Sequence, residues 1–154
     1  MFSVKMMNKL ILVFVVCFVG VQSISEEFIE DFLNQVQPVA QRCMEETNAG
    51  EDDLGALISH ETPPTHEGKC MLFCIYKHFN LQKEDGTANK IGALKSLDPL
   101  RKEDPEAYRK FVRLFVHCGR SVVPNPDPCI FATELGKCAF ENAQEMGLGD
   151  VMQF

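Results

Sequence analysis

The chain has 154 residues, carries a net charge of −7 and is 45% hydrophobic. This length suits one domain with a hydrophobic core and is short for two. The acidic charge disfavours binding to nucleic acid or to an anionic membrane surface, because both repel a negatively charged protein.

The N-terminal segment 1–23 has the layout of a secretory signal peptide. Two lysines precede an unbroken apolar run over 10–19, and small residues follow. That run is about half the ~20 residues that a membrane-spanning helix needs, so a permanent anchor is the weaker interpretation. We therefore expect cleavage after Ser23, with Gly20 as an alternative, and a secreted domain over 24–154 without stable membrane insertion.

The first half of this domain predicts three helices. Ser25 and the two glutamates after it are suited to a helix start, and apolar residues then recur at helical spacing, at Phe28, Phe32, Val36, Ala40 and Cys43. Pro38 is expected to kink this helix or divide it. A short second helix is predicted over 52–59. The third, over 67–79, is apolar on every side and therefore belongs in the centre of the fold.

The second half predicts three more helices. A weak fourth helix is expected over 91–97, and the fifth begins at Asp104, where Asp at the cap precedes Pro in the first turn. The proline-spaced stretch 123–128 should cross as an extended connector. Asp127 repeats the start signal for a sixth helix that ends at Gly147. We find no convincing strand, so the predicted fold class is all-α.

Six cysteines remain once Cys17 is assigned to the signal peptide: Cys43, Cys70, Cys74, Cys118, Cys129 and Cys138. An even number in an oxidising compartment favours a disulfide framework. Six cysteines allow fifteen pairings. Helix geometry disfavours bonds between residues 70 and 74 and between 129 and 138, which leaves ten. The residues alone do not choose among these ten.

A zinc site is the alternative use of these cysteines. His66, Cys70, Cys74 and His78 recur at intervals of four residues, like ligands on one helix. The two histidines would then lie ~18 Å apart, whereas zinc ligands lie within about 2.0–2.3 Å of one ion. We therefore expect neither a metal nor another cofactor.

Six basic residues occur within twenty positions, at Arg101, Lys102, Arg109, Lys110, Arg113 and Arg120. Segment 1–23 contains two basic residues and no acidic ones, so the domain over 24–154 has a net charge of −9. The cluster is interpreted as a solvated helix face, with a docking patch for an acidic partner as the alternative.

Motifs of enzymes are missing from the sequence. There is no G-x-S-x-G turn, no H-E-x-x-H pair and no glycine loop of the kind that holds phosphate. The cysteines are assigned to disulfides, so they do not serve as nucleophiles. We expect a protein that is not an enzyme.

The cysteine spacing closely resembles that of the six-cysteine insect odorant-binding proteins, which include the pheromone-binding and general odorant-binding groups. Three residues separate Cys70 from Cys74 and eight separate Cys129 from Cys138, and these short intervals are family marks. The 43-residue interval before Cys118 is slightly long. The resemblance implies a compact domain of six helices around an apolar cavity, locked by the disulfides Cys43–Cys74, Cys70–Cys129 and Cys118–Cys138.

The function implied by the resemblance is that of a secreted carrier. Such a protein binds small hydrophobic ligands, odorants or pheromones, in an internal pocket and transports them through aqueous fluid to a membrane odorant receptor. The alternatives are a scavenger or carrier in saliva or haemolymph, and a secreted protein acting through its surface. We expect a monomer or weak homodimer.

Thirteen apolar or aromatic residues are candidates for lining the pocket: Phe28, Phe32, Leu57, Ile58, Met71, Ile75, Tyr76, Leu94, Phe111, Phe115, Phe131, Leu135 and Phe154. The tail 148–154 is apolar enough to cover a cavity. Four histidines with an ordinary pKa near 6.5 suggest that acid changes tail docking and releases ligand, as in some members of the family. The alternative is that they are ordinary surface histidines.

Overall fold

The computed structural model describes residues 24–149 and 151, and this part of the chain is all-α, as predicted. The predicted signal peptide 1–23 and the candidate Phe154 lie outside the described residues. Seven helices are described: α1 Glu26–Thr47, α2 Glu51–Ile58, α3 His66–His78, α4 Lys90–Ser96, α5 Asp98–Glu103, α6 Pro105–Ser121 and α7 Pro128–Ala143. One isolated antiparallel bridge pairs Gln82 with Ala88.

The helices α6 and α7 begin where the Asp–Pro pairs predict. The carboxylate of Asp104 accepts hydrogen bonds from the backbone N–H groups of Glu106 and Ala107. Asp127 does the same for Cys129 and Ile130. Each aspartate satisfies N–H groups that have no partner inside the helix, which fixes the helix start.

The structure has one helix more than the six predicted, because the predicted fourth helix over 91–97 corresponds to α4 and the sequence did not predict α5 after it. α4 ends at Ser96 and α5 begins at Asp98, with Pro99 in its first turn. Proline lacks the N–H group that would continue the hydrogen bonds of α4, but it fits the first turn of a new helix.

Of the two effects expected of Pro38, the structure excludes division of the helix, and one predicted helix end also differs from the structure. α1 continues through Pro38 without dividing. Pro38 is exposed, so the carbonyl that loses its helical partner can bind water. At the other end of the chain α7 stops at Ala143, and the turns that follow reach Gly147, which has a φ of 70° that suits glycine.

α3 is the central helix, as its apolar sequence predicts, and it packs extensively against both α1 and α7. The disulfide Cys43–Cys74 joins α1 to α3, and Cys70–Cys129 joins α3 to α7. The third disulfide, Cys118–Cys138, joins α6 to α7. These are the three pairs that the resemblance implies. In the chain-entropy model each stabilises the fold by ~3 to 4 kcal/mol.

Buried residues form two clusters, and each contains a disulfide cysteine. One lies between α6, α7 and the segment after α7, and consists of Leu114, Cys118, Ala143 and Leu148. The other lies between α1 and α3, and consists of Val39, Cys43 and Met71. The two clusters therefore lie against different helices, one against α6 and α7 and the other against α1 and α3.

A buried carboxylate fastens the short helix α2 to the start of α3. Asp53 is 1% exposed and accepts hydrogen bonds from Gly50 N (3.0 Å), Thr65 N (3.1 Å) and Thr65 Oγ1 (2.8 Å). Gly68 leaves the space that this carboxylate occupies, since a Cβ there would overlap it. Burial raises the pKa of Asp53, but the hydrogen bonds from Gly50 and Thr65 outweigh burial and the net pKa is lowered.

We expect Asp53→Ala to lower the free energy of unfolding by about 2 kcal/mol, because it leaves three donors of Gly50 and Thr65 without their buried acceptor. Urea unfolding at neutral pH measures this loss. The matched control is Asp52→Ala at the exposed neighbouring position. Equal losses in the two variants would contradict the role given to Asp53.

The same carboxylate predicts a dependence of stability on pH. Because its folded pKa is lowered, its contribution is present above the ordinary value of 3.8 and is lost as pH falls through the folded pKa. The difference in unfolding free energy between wild type and Asp53→Ala should therefore shrink below pH 3.8. A difference that stays constant across that range would contradict the assignment.

Candidate functional site

A partly enclosed apolar cleft of about 190 Å³ lies between α4, α6 and α7, beside the end of α3. Tyr76 of α3 and the connection that follows it close one side. Its lining is mostly apolar and consists of Tyr76, Leu81, Ala88, Asn89, Lys90, Ala93, Leu94, Phe115, Val116, Cys118, Gly119, Arg120, Leu135 and Ala139.

The connection over 79–89 is held in place by a buried glutamine. Gln82 is 2% exposed, and its amide Nε2 donates to Gly86 O (2.9 Å) and to Pro128 O (3.4 Å). Gly86 has a φ of 82°, and a Cβ there would come within 2.6 Å of Pro128. This connection therefore lies against the start of α7, which brings Leu81 and Ala88 to the cleft.

α4 is positioned by the residues around its start. The Asn89 side chain accepts a hydrogen bond from Gly92 N at 3.0 Å. Gly92 itself lies against the backbone carbonyl of Asn80, where no Cβ would fit. The close approach that Gly92 permits brings Ala93 and Leu94 over the cleft. Gly92 lowers the helix propensity of α4, yet its lack of a side chain is needed for this position.

The disulfide Cys118–Cys138 holds the other two walls together. Phe115 of α6 and Leu135 of α7 each lie three residues before a cysteine of this disulfide and line the cleft. The ring of Phe115 packs edge-on against Phe111, with ring centroids 6.4 Å apart. The cleft therefore lies next to the α6–α7 cluster of buried residues and is separated from the α1–α3 cluster.

Tyr76 is the main polar group on the inner wall. Burial raises the pKa of Tyr76 from its ordinary value of 10.0 to about 12. A Cβ on Gly136 would lie 3.0 Å from the Tyr76 hydroxyl and 3.4 Å from a methyl group of Leu72. Gly136 therefore provides the space in which the tyrosine hydroxyl lies.

Four of the thirteen candidate lining residues meet at this cleft: Tyr76, Leu94, Phe115 and Leu135. Three others belong to or pack against the α1–α3 cluster, at Leu57, Met71 and Ile75, whereas Phe111 packs against the α6–α7 cluster and Phe131 is buried. Phe28 is half-buried, and Phe32 and Ile58 are 45% and 66% exposed. None of these eight residues lines the cleft.

Ten of the lining residues, most of which are small or polar, were not identified from the sequence. Gly119 lies four residues after Phe115, and Ala139 four residues after Leu135, so each lies on the same helix face as a predicted residue. This four-residue spacing could have identified Gly119 and Ala139 from the sequence. The residues Leu81 and Ala88 carry no such signal, because the connection over 79–89 is placed by tertiary contacts.

The four residues of the alternative zinc site do not come together as one group of ligands. His66, Cys70 and Cys129 are the one group in the described ranges whose ligand atoms lie within 4.8 Å of one another. Both cysteines are joined in a disulfide, so neither supplies a thiolate. The His66 Nε2 atom lies 2.8 Å from Asp127 Oδ2, and this hydrogen bond is the main cause of the lowered pKa of Asp127. This group fits a structural contact between α3 and α7 better than a metal centre.

None of the four histidines lines the cleft. His60 stacks on Phe140 with ring centroids 4.5 Å apart. Of the tail, Leu148 is buried and Val151 packs against the α6–α7 cluster, whereas residues 152–154 lie outside the described part. The acid-dependent movement of the tail stays a prediction.

Among the described helices, none is both long enough and apolar enough to cross a membrane.

The sequence of this chain is similar to those of known odorant-binding proteins. The model of the PBP/GOBP family matches residues 25–142. General odorant-binding protein 19d of Drosophila melanogaster is 31% identical over 110 residues, which cover 71% of this chain and 73% of that protein. General odorant-binding protein 28a of the same species is 24% identical over 119 residues, covering 77% and 82%.

The fold is similar to a solved structure as well. The match is to odorant-binding protein dmelOBP28a from Drosophila melanogaster, with a TM-score of 0.66 and 24% sequence identity. It covers 77% of this chain and 98% of that chain. At this identity the likeness shows a shared fold.

The contact between Gly136 and Tyr76 is testable by a double-mutant cycle. We expect Gly136→Ala to cost about 1 kcal/mol more in the wild-type protein than in a Tyr76→Phe background, because the added methyl group meets the tyrosine hydroxyl. Urea unfolding of the four proteins gives this difference. If Gly136→Ala has the same effect in both backgrounds, the two residues do not compete for this space.

Proposed function

The chain belongs to the PBP/GOBP family, and on that premise we propose that it is a secreted carrier whose ligand is a small hydrophobic molecule. The ligand binds in the cleft between α4, α6 and α7 and is carried through aqueous fluid to a membrane odorant receptor. The observation that carries this proposal is the apolar lining of the cleft, next to the disulfide that joins two of its walls. Proteins of this family are carriers rather than enzymes.

The physical basis of binding is the burial of apolar surface. At ~25 cal/mol per Å², a ligand that buries ~300 Å² gains ~7.5 kcal/mol before the costs of association, which is enough for micromolar binding. The volume of about 190 Å³ lies below the ~300–1,000 Å³ of pockets for drug-sized molecules. The cleft therefore suits a compact ligand.

The disulfides support this use of the fold. A small domain usually needs a filled core for stability, because it buries only part of its surface. Here three disulfides restrict the unfolded chain, so space between α6 and α7 is left for a ligand without loss of the fold.

Secretion is part of the same proposal. The disulfides and the signal-like segment 1–23 support an oxidising, extracellular compartment. The charge of −9 on the domain over 24–154 supports a monomer or weak homodimer, since copies of the chain repel one another.

We expect Ala93→Phe to weaken binding of octanol by about tenfold or more, because the aromatic ring fills part of the cleft. Titration calorimetry with octanol measures the affinity. The matched control is Ile91→Phe on the same short helix, where the side chain is 70% exposed and does not line the cleft. Octanol binding that is unchanged by Ala93→Phe, or reduced equally by both variants, would contradict this location of the site.

A further inference from the structure

The charged groups that line the cleft are all of one sign. Lys90 and Arg120 line it, and no aspartate or glutamate does. This contrasts with the domain over 24–154, where acidic residues exceed basic ones by nine. The cleft thus presents positive charge on a negatively charged protein.

The two cations lie at the ends of helices that form neighbouring walls of the cleft. Lys90 is the first residue of α4, and Arg120 lies one residue before the end of α6. Both side chains are exposed, so their charged groups remain in solvent at the rim of the cleft. Both also have long apolar stems that can lie along the cleft wall.

Neither cation is neutralised by a described carboxylate. Over residues 24–149 and 151 the ion pairs are His66–Asp127, Lys77–Glu84, Lys110–Glu106 and Lys137–Glu141. Lys110 lies on α6 like Arg120, yet it is paired with Glu106 at 3.0 Å. Lys90 and Arg120 are therefore available to bind an external anion.

The interior of the cleft has the opposite character. Phe115, Leu135 and Ala139 supply an apolar wall, and the Tyr76 hydroxyl on the inner wall is uncharged at neutral pH. A hydrocarbon chain is stabilised there, whereas a charged head would lose its hydration without a partner. A ligand with both parts has one favourable orientation, with the chain inside and the head at the rim.

We propose that the cleft selects single-chain amphiphiles with an anionic head, such as a carboxylate, over alcohols or amines of equal chain length. The planar guanidinium of Arg120 matches the two oxygens of a carboxylate, and the ammonium of Lys90 adds a second charge. This inference rests on the proposed carrier function, since it assigns the ligand class of the same cleft.

The test compares octanoate, octanol and octylamine by titration calorimetry at neutral pH and low salt. We expect octanoate to bind about fivefold more tightly than octanol, as exposed ion pairs contribute up to ~1 kcal/mol, and octylamine to bind more weakly than octanol. Added salt should reduce the advantage of octanoate, because it screens the charges at the rim.

Variants that remove one positive charge test which residues cause the preference for octanoate. Arg120→Gln and Lys90→Gln should each reduce the ratio of octanoate affinity to octanol affinity by about two- to threefold. The matched control is Arg113→Gln, which removes the same charge from α6 at an exposed position outside the cleft lining. Its affinities for both ligands should equal those of the wild type.

The outcomes separate this inference from the function on which it rests. If octanol and octanoate bind equally, the preference for an anion is overturned while the carrier function stands. If Arg113→Gln lowers octanoate affinity as much as Arg120→Gln, the effect comes from net charge and the inference is overturned as well. If none of the three ligands binds, the carrier function fails together with its ligand class.

Discussion

Two disulfides that are anchored one helical turn apart on α3 determine how the other long helices are placed. Cys70 connects α3 to α7 and Cys74 connects it to α1. Because both bonds start from one apolar helix, α1 and α7 must both pack against α3, and these are the largest helix contacts in the described fold. Any change in the rotation of α3 would move both partners together.

The cleft exists because α4 and α6 are attached to the α1–α3–α7 framework at only a few points. α6 is joined to α7 through Cys118–Cys138, and α4 reaches the cleft through the connection that Gln82 ties to Pro128. Covalent and hydrogen-bonded attachments hold these walls, so the space between them does not have to be filled by side chains. The same arrangement leaves the ends of α4 and α6, with their cations, at the rim.

Carboxylates have a structural role that is separate from the cleft. Asp53, Asp104 and Asp127 each accept hydrogen bonds from backbone N–H groups at helix starts. Asp127 also contacts His66, which places the start of α7 beside the start of α3. Three of the acidic residues thus fix helix ends, and none of them contributes negative charge to the cleft, which remains positive at its rim.

The sequence by itself determined the all-α class, the central position of α3 and the Asp–Pro starts of α6 and α7, because periodicity and capping act over a few residues. The cysteine intervals, through the family they resemble, also indicated the disulfide pairs. Only the tertiary structure decided which apolar residues face the cleft. Met71 and Tyr76 lie on the same helix, yet Met71 is buried against α1 and Tyr76 faces the cleft. Helical spacing identifies an apolar face, whereas the packing partners of that face depend on residues distant in the chain.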